Sequence, residues 1–251
     1  MASKTIICLD AGHGGSDPGA VGNGLREDQI AFDVTNQLAE KLKNAGFDVV
    51  LSRPSANINP GINARWQLAN EKKANYFISI HVNAGGGTGE ETLFYKENSE
   101  RSRRSEEFAN CVNSIYAQEM GLRNRGVKTD TQSHLGSIGV LRYTNMPAIL
   151  VELAFIDSPL HNPDVPILRD KRQEIATALA KAITNCLGGT PAEPEPEPTK
   201  PAVAIDILGK VKNISGYIEN GATWVRLTEF SEALGYSAVW DDTRRIPVIK
   251  K

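Results

Sequence analysis

The sequence lacks several features that would place it outside the ordinary globular proteins. Its apolar runs are far shorter than the roughly 20 residues that cross a bilayer, so no membrane insertion is expected. No charge of one sign dominates, because 28 lysines and arginines oppose 30 aspartates and glutamates. The resulting formal charge of −2 offers no basic field for nucleic acid, and that class of partner is set aside.

The sequence lacks both a secretory signal and a cysteine pattern typical of disulfides, and each absence bears on the cellular compartment. The first residues lack the basic, apolar and small-residue succession of a secretory signal, so we expect synthesis in the cytoplasm without a signal peptide. The cysteines, Cys8, Cys111 and Cys186, are odd in number and widely spaced in apolar surroundings. This pattern favours neither a disulfide framework nor a thiolate zinc cluster, and we expect all three to be core residues in a reducing compartment.

A segment rich in proline and glutamate divides the chain. Residues 188–202 alternate these two residue types, which disfavour both helix and sheet and favour an extended spacer. The sequence therefore predicts a larger domain at residues 1–187, a linker at 188–202 and a small domain at 203–251.

Short apolar segments alternate with segments of helical periodicity in residues 1–187. The predicted strands are 5–9, 48–52, 76–81, 92–95, one near Val140 and 148–153, and the predicted helices are 27–45, 62–73, 101–120 and a closing helix to 187. This alternation predicts an α/β fold with a mixed, mostly parallel sheet flanked by helices on both faces. Residues 203–251 predict a small α+β domain, with strands at 206–211, 224–226, 238–240 and 246–249 and a helix at 227–234.

Chemically useful side chains follow the predicted strands. The first strand leads into His13, and two later strands deliver His81 and Glu152, while Glu27 opens the first helix. Sites in open α/β sheets gather at the carboxyl ends of the strands, so these groups can converge. Two imidazoles, a carboxylate and an open fourth position form the usual catalytic zinc site, and His13, Glu27 and His81 fit it. Glu152 is then the candidate base that takes a proton from the attacking water.

Simpler interpretations of the same residues remain open at this point. A histidine in a glycine-rich loop is often a turn residue, and a glutamate after a strand is often a helix cap. Glu152 is harder to explain in this way, because it lies inside the apolar run Ile149–Phe155, where an unpaired charge is costly.

Three segments resemble the zinc-dependent N-acetylmuramoyl-L-alanine amidases of the type-3 amidase family. They are Asp10-Ala-Gly-His-Gly-Gly-Ser-Asp-Pro-Gly-Ala20, Ile78-Ser-Ile-His-Val-Asn-Ala84 and Met146-Pro-Ala-Ile-Leu-Val-Glu-Leu-Ala-Phe155. The shorter pieces Leu51-Ser-Arg53, Asn63-Ala-Arg65 and Glu91-Thr92 match as well, and the resemblance covers about residues 4 to 187.

The resemblance implies one zinc ion held by His13, Glu27 and His81, with Glu152 as the catalytic base. The substrate would be peptidoglycan, cut at the amide between the lactyl group of N-acetylmuramic acid and L-alanine. Asn83 has either an orienting or a turn role. His134 and His161 are expected to be surface or structural residues, with His134 the better candidate for a groove contact.

The small C-terminal domain resembles the repeat named after the N-terminal domain of copper amine oxidases, although it has no copper ligand. We expect it to bind the cell wall. Its aromatic residues Trp224, Tyr236 and Trp240 are either core residues or a platform for sugars. The implied setting is a phage endolysin of Firmicutes that reaches the wall after the membrane is permeabilised. The alternatives are a mother-cell amidase of sporulation, and a zinc peptidase or a non-catalytic wall-binding protein on the same scaffold.

Overall fold

The structure is a computed structural model of the 251-residue chain. It describes residues 4–133 and 136–189, together with the backbone of five strands between residues 202 and 250. The chain separates into two compact units, Met1–Ala192 and Glu193–Lys251.

A six-stranded sheet forms the centre of the first unit. The strands of this unit are β1 (Ile6–Ala11), β2 (Val21–Gly22), β3 (Leu25–Arg26), β4 (Asp48–Leu51), β5 (Tyr76–Asn83), β6 (Glu90–Phe94), β7 (Asn124–Thr129) and β8 (Ala148–Phe155). The sheet order is β4-β1-β5-β8-β6-β7, while β2 and β3 form a separate small hairpin. All neighbouring pairs in the sheet are parallel except β6 with β8. The predicted mixed, mostly parallel sheet is therefore confirmed.

Helices cover both faces of this sheet. They are α1 (Glu27–Asn44), α2 (Ile62–Glu71), α3 (Glu100–Met120), α4 (Gly139–Arg142), α5 (Asp164–Asp170) and α6 (Arg172–Leu187). Helix α1 buries the apolar series Ile30, Val34, Leu38 and Leu42, which recurs at helical spacing. Helices α1, α3, α5 and α6 share one apolar cluster with one face of the strands, and α2 and α4 share a second cluster with the opposite face. Strand β8 is buried along its whole length, as expected for a central strand covered on both sides.

Three element predictions in this unit differ from the structure. The strand predicted near Val140 is the short helix α4, whose two buried apolar residues are too few to show a period. Strand β7 was not predicted, because it lies at the edge of the sheet, is only partly buried and carries a glycine among polar residues. The closing helix is interrupted between Asp170 and Arg172 and forms α5 and α6.

The expectation for the cysteines is wrong for two of the three. Cys111 on α3 and Cys186 on α6 form a disulfide, while Cys8 is a buried free thiol. The bonded cysteines are 75 residues apart, so the sequence alone did not show that α3 and α6 pack side by side. Such bonds persist in oxidising surroundings, which argues against a reducing compartment as the working location.

The second unit contains strands β9 (Ala202–Ile207), β10 (Lys210–Glu219), β11 (Ala222–Val225), β12 (Ser237–Asp241) and β13 (Ile246–Lys250). Strand β10 pairs antiparallel with β9 and β11, and β12 pairs antiparallel with β13. The single strand predicted at 206–211 is wrong, because the chain leaves β9 and enters β10 within that range. The predicted helix at 227–234 and most of the predicted linker lie outside the described residues.

In the part of the chain that the structure describes, every helix is too short or too polar to serve as a membrane span.

Candidate active site

The four predicted functional side chains meet at one edge of the sheet. His13 follows the end of β1, His81 lies near the end of β5, and Glu152 lies in β8 directly opposite His81 in the parallel register. Glu27 is the first residue of α1, which begins after the small β2–β3 hairpin. The convergence at the carboxyl ends of the parallel strands agrees with the sequence argument.

His13, Glu27 and His81 form a compact cluster of potential metal ligands. Each offers one ligand atom, and these atoms lie within 4.8 Å of one another. Glu27 Oε1 lies 2.9 Å from His81 Nδ1 and 3.2 Å from His13 Nε2. Among the described residues, no other group of three or more His, Cys, Asp or Glu side chains is arranged to hold a metal ion. Two imidazole nitrogens and a carboxylate oxygen are a donor set that fits zinc.

Further contacts fix the orientation of the cluster. Asp17 Oδ2 lies 2.9 Å from His13 Nδ1, so the nitrogen that faces away from Glu27 is also engaged. The backbone N–H of Ala20 donates to Glu27 Oε2, and that of Val82 donates to Glu27 Oε1. Outer contacts of this kind fix the ring orientation and tautomer of metal-binding histidines.

The loop that carries His13 rests on two buried arginines. Arg65 donates to Asp10 Oδ1 at 2.6 Å and to the carbonyl oxygen of His13 at 2.7 Å. Arg53 donates to the carbonyl oxygen of Gly12 at 3.0 Å. These contacts hold His13 at a φ of 59°, in the left-handed region that non-glycine residues rarely occupy. A family match is the only sequence signal for the two arginines, because their partners lie about 40 to 55 residues away.

Neighbouring charges shift the pKa values of His13 and Glu27. Burial disfavours the charged form of His13, but hydrogen bonds with Glu27 and Asp17 raise its pKa to about 9. Burial likewise opposes ionisation of Glu27, yet the two histidines hold its pKa well below the ordinary value. The Glu27 carboxylate is therefore ionised and available as a ligand.

Glu152 occupies a different environment from Glu27. Its side chain is buried, and its Oε2 atom has no hydrogen-bond partner in the part of the chain that the structure describes. Burial raises the pKa of Glu152 to about 7, an effect that Glu27 and Glu91 reinforce and the imidazole of His81 opposes. A carboxyl group with such a pKa can both accept and donate a proton near neutral pH.

The remaining sequence candidates lie outside this arrangement. Asn83 on β5 uses its Nδ2 atom to donate to Oε1 of Glu91 on β6 at 2.9 Å, so it supports the position of Glu91. His161 is exposed in the turn between β8 and α5, and His134 lies outside the described residues.

A separate groove of about 400 Å³ is bounded by Phe94, Glu106 and Val127, and none of the four site residues lines it.

Comparisons with known proteins agree with the geometry. Residues 7–185 match the family model described as N-acetylmuramoyl-L-alanine amidase. The chain is 38% identical over 154 residues to the sporulation-specific N-acetylmuramoyl-L-alanine amidase of Bacillus subtilis, covering 61% of this chain and 56% of that protein. It is 29% identical over 231 residues to the endolysin of Bacillus phage SPP1, covering 87% of this chain and 82% of that protein.

A solved structure extends the likeness to three dimensions. The catalytic domain of CwlV, an N-acetylmuramoyl-L-alanine amidase from Bacillus (Paenibacillus) polymyxa var. colistinus, gives a TM-score of 0.64 at 29% identity. The match covers 74% of this chain and 99% of that domain. From the family match and the arrangement of its site, the chain belongs to the N-acetylmuramoyl-L-alanine amidase family.

Proposed function

We propose that this protein is a zinc-dependent hydrolase of peptidoglycan that cuts the amide between the lactyl group of N-acetylmuramic acid and L-alanine. The observation that carries the proposal is the position of Glu152. Its unpaired, buried oxygen lies on the strand next to the His13–Glu27–His81 cluster, in register with His81. A metal-binding cluster beside a carboxyl group with a pKa near neutrality suits hydrolysis of an amide.

The zinc ion would be held by His13, Glu27 and His81. Other side chains of the protein transfer the proton and keep the ligands in position. When bound, zinc supplies Lewis acidity that polarises the amide carbonyl and makes water a stronger nucleophile. Glu152 accepts the proton of the attacking water on its carboxylate and then donates it to the amine of the departing alanine. Its burial excludes bulk water from this proton transfer, and Asp17 keeps the His13 ring in position.

The test is digestion of purified Gram-positive cell walls, scored for new alanine amino termini and for new reducing sugar ends. Alanine termini that disappear with a chelator and return with added zinc are the expected result. Glu152→Gln should lower the rate by about 10²- to 10⁴-fold, because it removes the proton acceptor while keeping the shape of the side chain. Glu71→Gln, at an exposed position at the end of α2, is the matched control and should retain the activity.

Other products would point to other functions. New amino termini from residues other than alanine would indicate a zinc peptidase of the stem peptide, and reducing ends would indicate a glycosidase. Wall binding without any product would indicate a non-catalytic wall-binding protein. Full activity in Glu152→Gln would remove Glu152 from the proposed mechanism.

We further propose that the protein is an endolysin that acts on the wall after the membrane has been permeabilised. The similarity to the phage endolysin supports this role, because it extends over 87% of the chain and hence beyond the catalytic unit. The alternative is a mother-cell amidase of sporulation, which the higher identity over a shorter range favours. Transcript timing separates the two: expression on phage induction supports the first role, and expression confined to sporulation supports the second.

A further inference from the structure

Strands β6 and β7 present three charged side chains beside Glu152 that the proposed reaction does not use. Glu91 on β6 lies directly opposite Glu152 in the antiparallel register with β8. Arg125 and Lys128 come from β7, the edge strand next to β6. We call these three residues the β6–β7 charge cluster.

Glu91 is the anchor of the β6–β7 charge cluster. Its Oε2 atom accepts from Arg125 Nε at 2.7 Å and from Lys128 Nζ at 2.5 Å, and its Oε1 atom accepts from Asn83 Nδ2 at 2.9 Å. Burial opposes ionisation of Glu91, but the two cations hold its pKa below the ordinary value. A single buried carboxylate thus positions two cations, and the cluster carries one excess positive charge.

Arg125 is held in place but keeps donors available. Only its Nε atom donates to Glu91, and its two terminal nitrogens make no hydrogen bond with any residue that the structure describes. Its guanidinium lies over the ring of Phe155, 4.7 Å from the ring centre, which fixes the plane of the group. The side chains of Arg125 and Lys128 are 26% and 29% exposed, so an incoming ligand can reach them.

An irregularity in the pairing of β6 with β7 directs the side chain of Arg125 toward Glu91. The register between β6 and β7 shifts between Glu90 and Thr92, and Gly126 adopts a φ of 84° at the same level. Asn124 Oδ1 accepts from the N–H of Gly126 and stabilises the turn of the backbone. Bulges of this kind redirect a side chain and are frequent next to active sites.

The sheet order indicates which part of a substrate meets these cations. From β1 through β5 and β8 to β6 and β7, the edge presents His13, His81, Glu152 and then the charge cluster. The scissile amide must lie at Glu152, which donates a proton to the leaving amine. The peptide that continues from this amine then extends over β6 and β7. Stem peptides carry carboxylates, whereas N-acetylated sugars are neutral, and an open guanidinium fork matches a carboxylate in shape and charge.

We propose that Arg125 and Lys128, positioned by Glu91, bind a carboxylate of the stem peptide and make the enzyme selective for an acidic residue after alanine. This inference rests on the proposed amidase function.

The test uses two soluble glycan–peptide substrates that differ in one group, a free carboxylate or its carboxamide on the residue that follows alanine. The wild-type enzyme should favour the carboxylate by about tenfold in kcat/KM, mainly through KM, because a charge-assisted hydrogen bond is lost with the amide.

Substitutions of Arg125 and Lys128 test whether these two cations cause the preference for the carboxylate substrate. Arg125→Gln and Lys128→Gln should each reduce the preference for the carboxylate toward unity by raising KM for that substrate, with little change for the carboxamide. Arg103→Gln on α3 and Lys181→Gln on α6 are the matched controls, because both cations pair with glutamates of α3 on the protein surface and their variants should keep the full preference. Thermal midpoints identify a variant that loses activity by unfolding.

Three outcomes would overturn the carboxylate site, and one of them would also overturn the proposed function. Equal kcat/KM for the two substrates in the wild-type enzyme, which needs no variant, would overturn the carboxylate site while leaving the amidase function intact. Equal losses on both substrates in folded Arg125→Gln would overturn it as well, since a merely structural role predicts that pattern. If the wild-type enzyme releases alanine termini from neither substrate nor from whole walls, the proposed function fails together with the inference.

Discussion

Three buried carboxylates near the site, those of Glu27, Glu91 and Glu152, differ in ionisation because different groups surround them. Glu27 accepts several hydrogen bonds and faces two histidines, which suits the anionic metal ligand that we propose it to be. Glu91 is tied to two cations and to Asn83, which leaves it a positioning role. Glu152 alone among these three has a buried oxygen without a partner in the described residues, which suits the proton acceptor and donor that we propose it to be.

A fourth carboxylate, Glu90, makes the stability of the protein depend on pH. Its side chain faces α3, where Asn113 Nδ2 donates to both of its oxygens at 2.8 and 2.9 Å. Burial raises its pKa from 4.5 to about 8, with the charge of Glu91 adding to the effect, and the phenol of Tyr116 lies nearby. Because the folded-state pKa lies above the unfolded one, the stabilising contribution is full below pH 4.5 and is lost as the pH rises through 8.

We therefore expect Glu90→Gln to flatten the fall in unfolding free energy between pH 5 and pH 8.5. A group titrating between these two pKa values contributes a slope of up to about 1.4 kcal/mol per pH unit, which the variant removes. Urea unfolding at several pH values measures the slope, and the exposed substitution Glu71→Gln should keep that of the wild-type protein. Parallel curves for Glu90→Gln and the wild-type protein would show that Glu90 is not protonated in the folded state.

At the scale of elements, the disulfide between α3 and α6 closes a loop of 75 residues. Cross-linking a loop of this length restricts the unfolded chain, and removing such a bond typically costs about 2–4 kcal/mol. We expect Cys111→Ser and Cys186→Ser each to lower the unfolding free energy by about this amount, measured by denaturant unfolding. A reducing agent should bring the wild-type protein to the level of the variants and leave the variants unchanged. If reduction has no effect on the wild-type protein, the bond does not contribute to stability.

The elements also show what sequence patterns can and cannot predict. Helix α1 was predicted to within a residue of its bounds, because its apolar residues recur every four positions and one face of it is buried. The convergence of His13 and His81 could be predicted because one follows an apolar strand and the other lies near the end of one, and parallel strands end at a common edge. Strand β7 has no clear sequence pattern because an edge strand needs little burial, and the positions of Arg125 and Lys128 cannot be predicted without it. The contacts of Arg53 and Arg65 join distant parts of the chain, and no local pattern reports such contacts.

The four proposed catalytic and metal-binding residues all lie in the first of the two compact units. We propose that residues 203–251 attach the enzyme to the cell wall and thereby raise its local concentration at a solid substrate.

Deleting residues 203–251 should therefore weaken binding to the cell wall without changing the rate of amide hydrolysis on soluble fragments. We expect pelleting with purified walls to fall about tenfold or more, because the second point of attachment is lost. The release of alanine termini from soluble glycan–peptide fragments should stay within about twofold, because the catalytic unit is unchanged and avidity acts only on the insoluble wall. Undiminished pelleting of the shortened protein would assign wall binding to the catalytic unit instead.

The covalent link between α3 and α6 would protect the protein from proteases in the lysing cell where we propose that it acts. Strands β7 and β8, and with them Arg125, Lys128 and Glu152, lie inside the ring that the Cys111–Cys186 bond closes. A single proteolytic cut anywhere between these two cysteines leaves both fragments joined as one molecule. The nicked protein can therefore keep Glu152 beside His13 and His81, and the ring makes the site more tolerant of backbone cleavage than packing alone would.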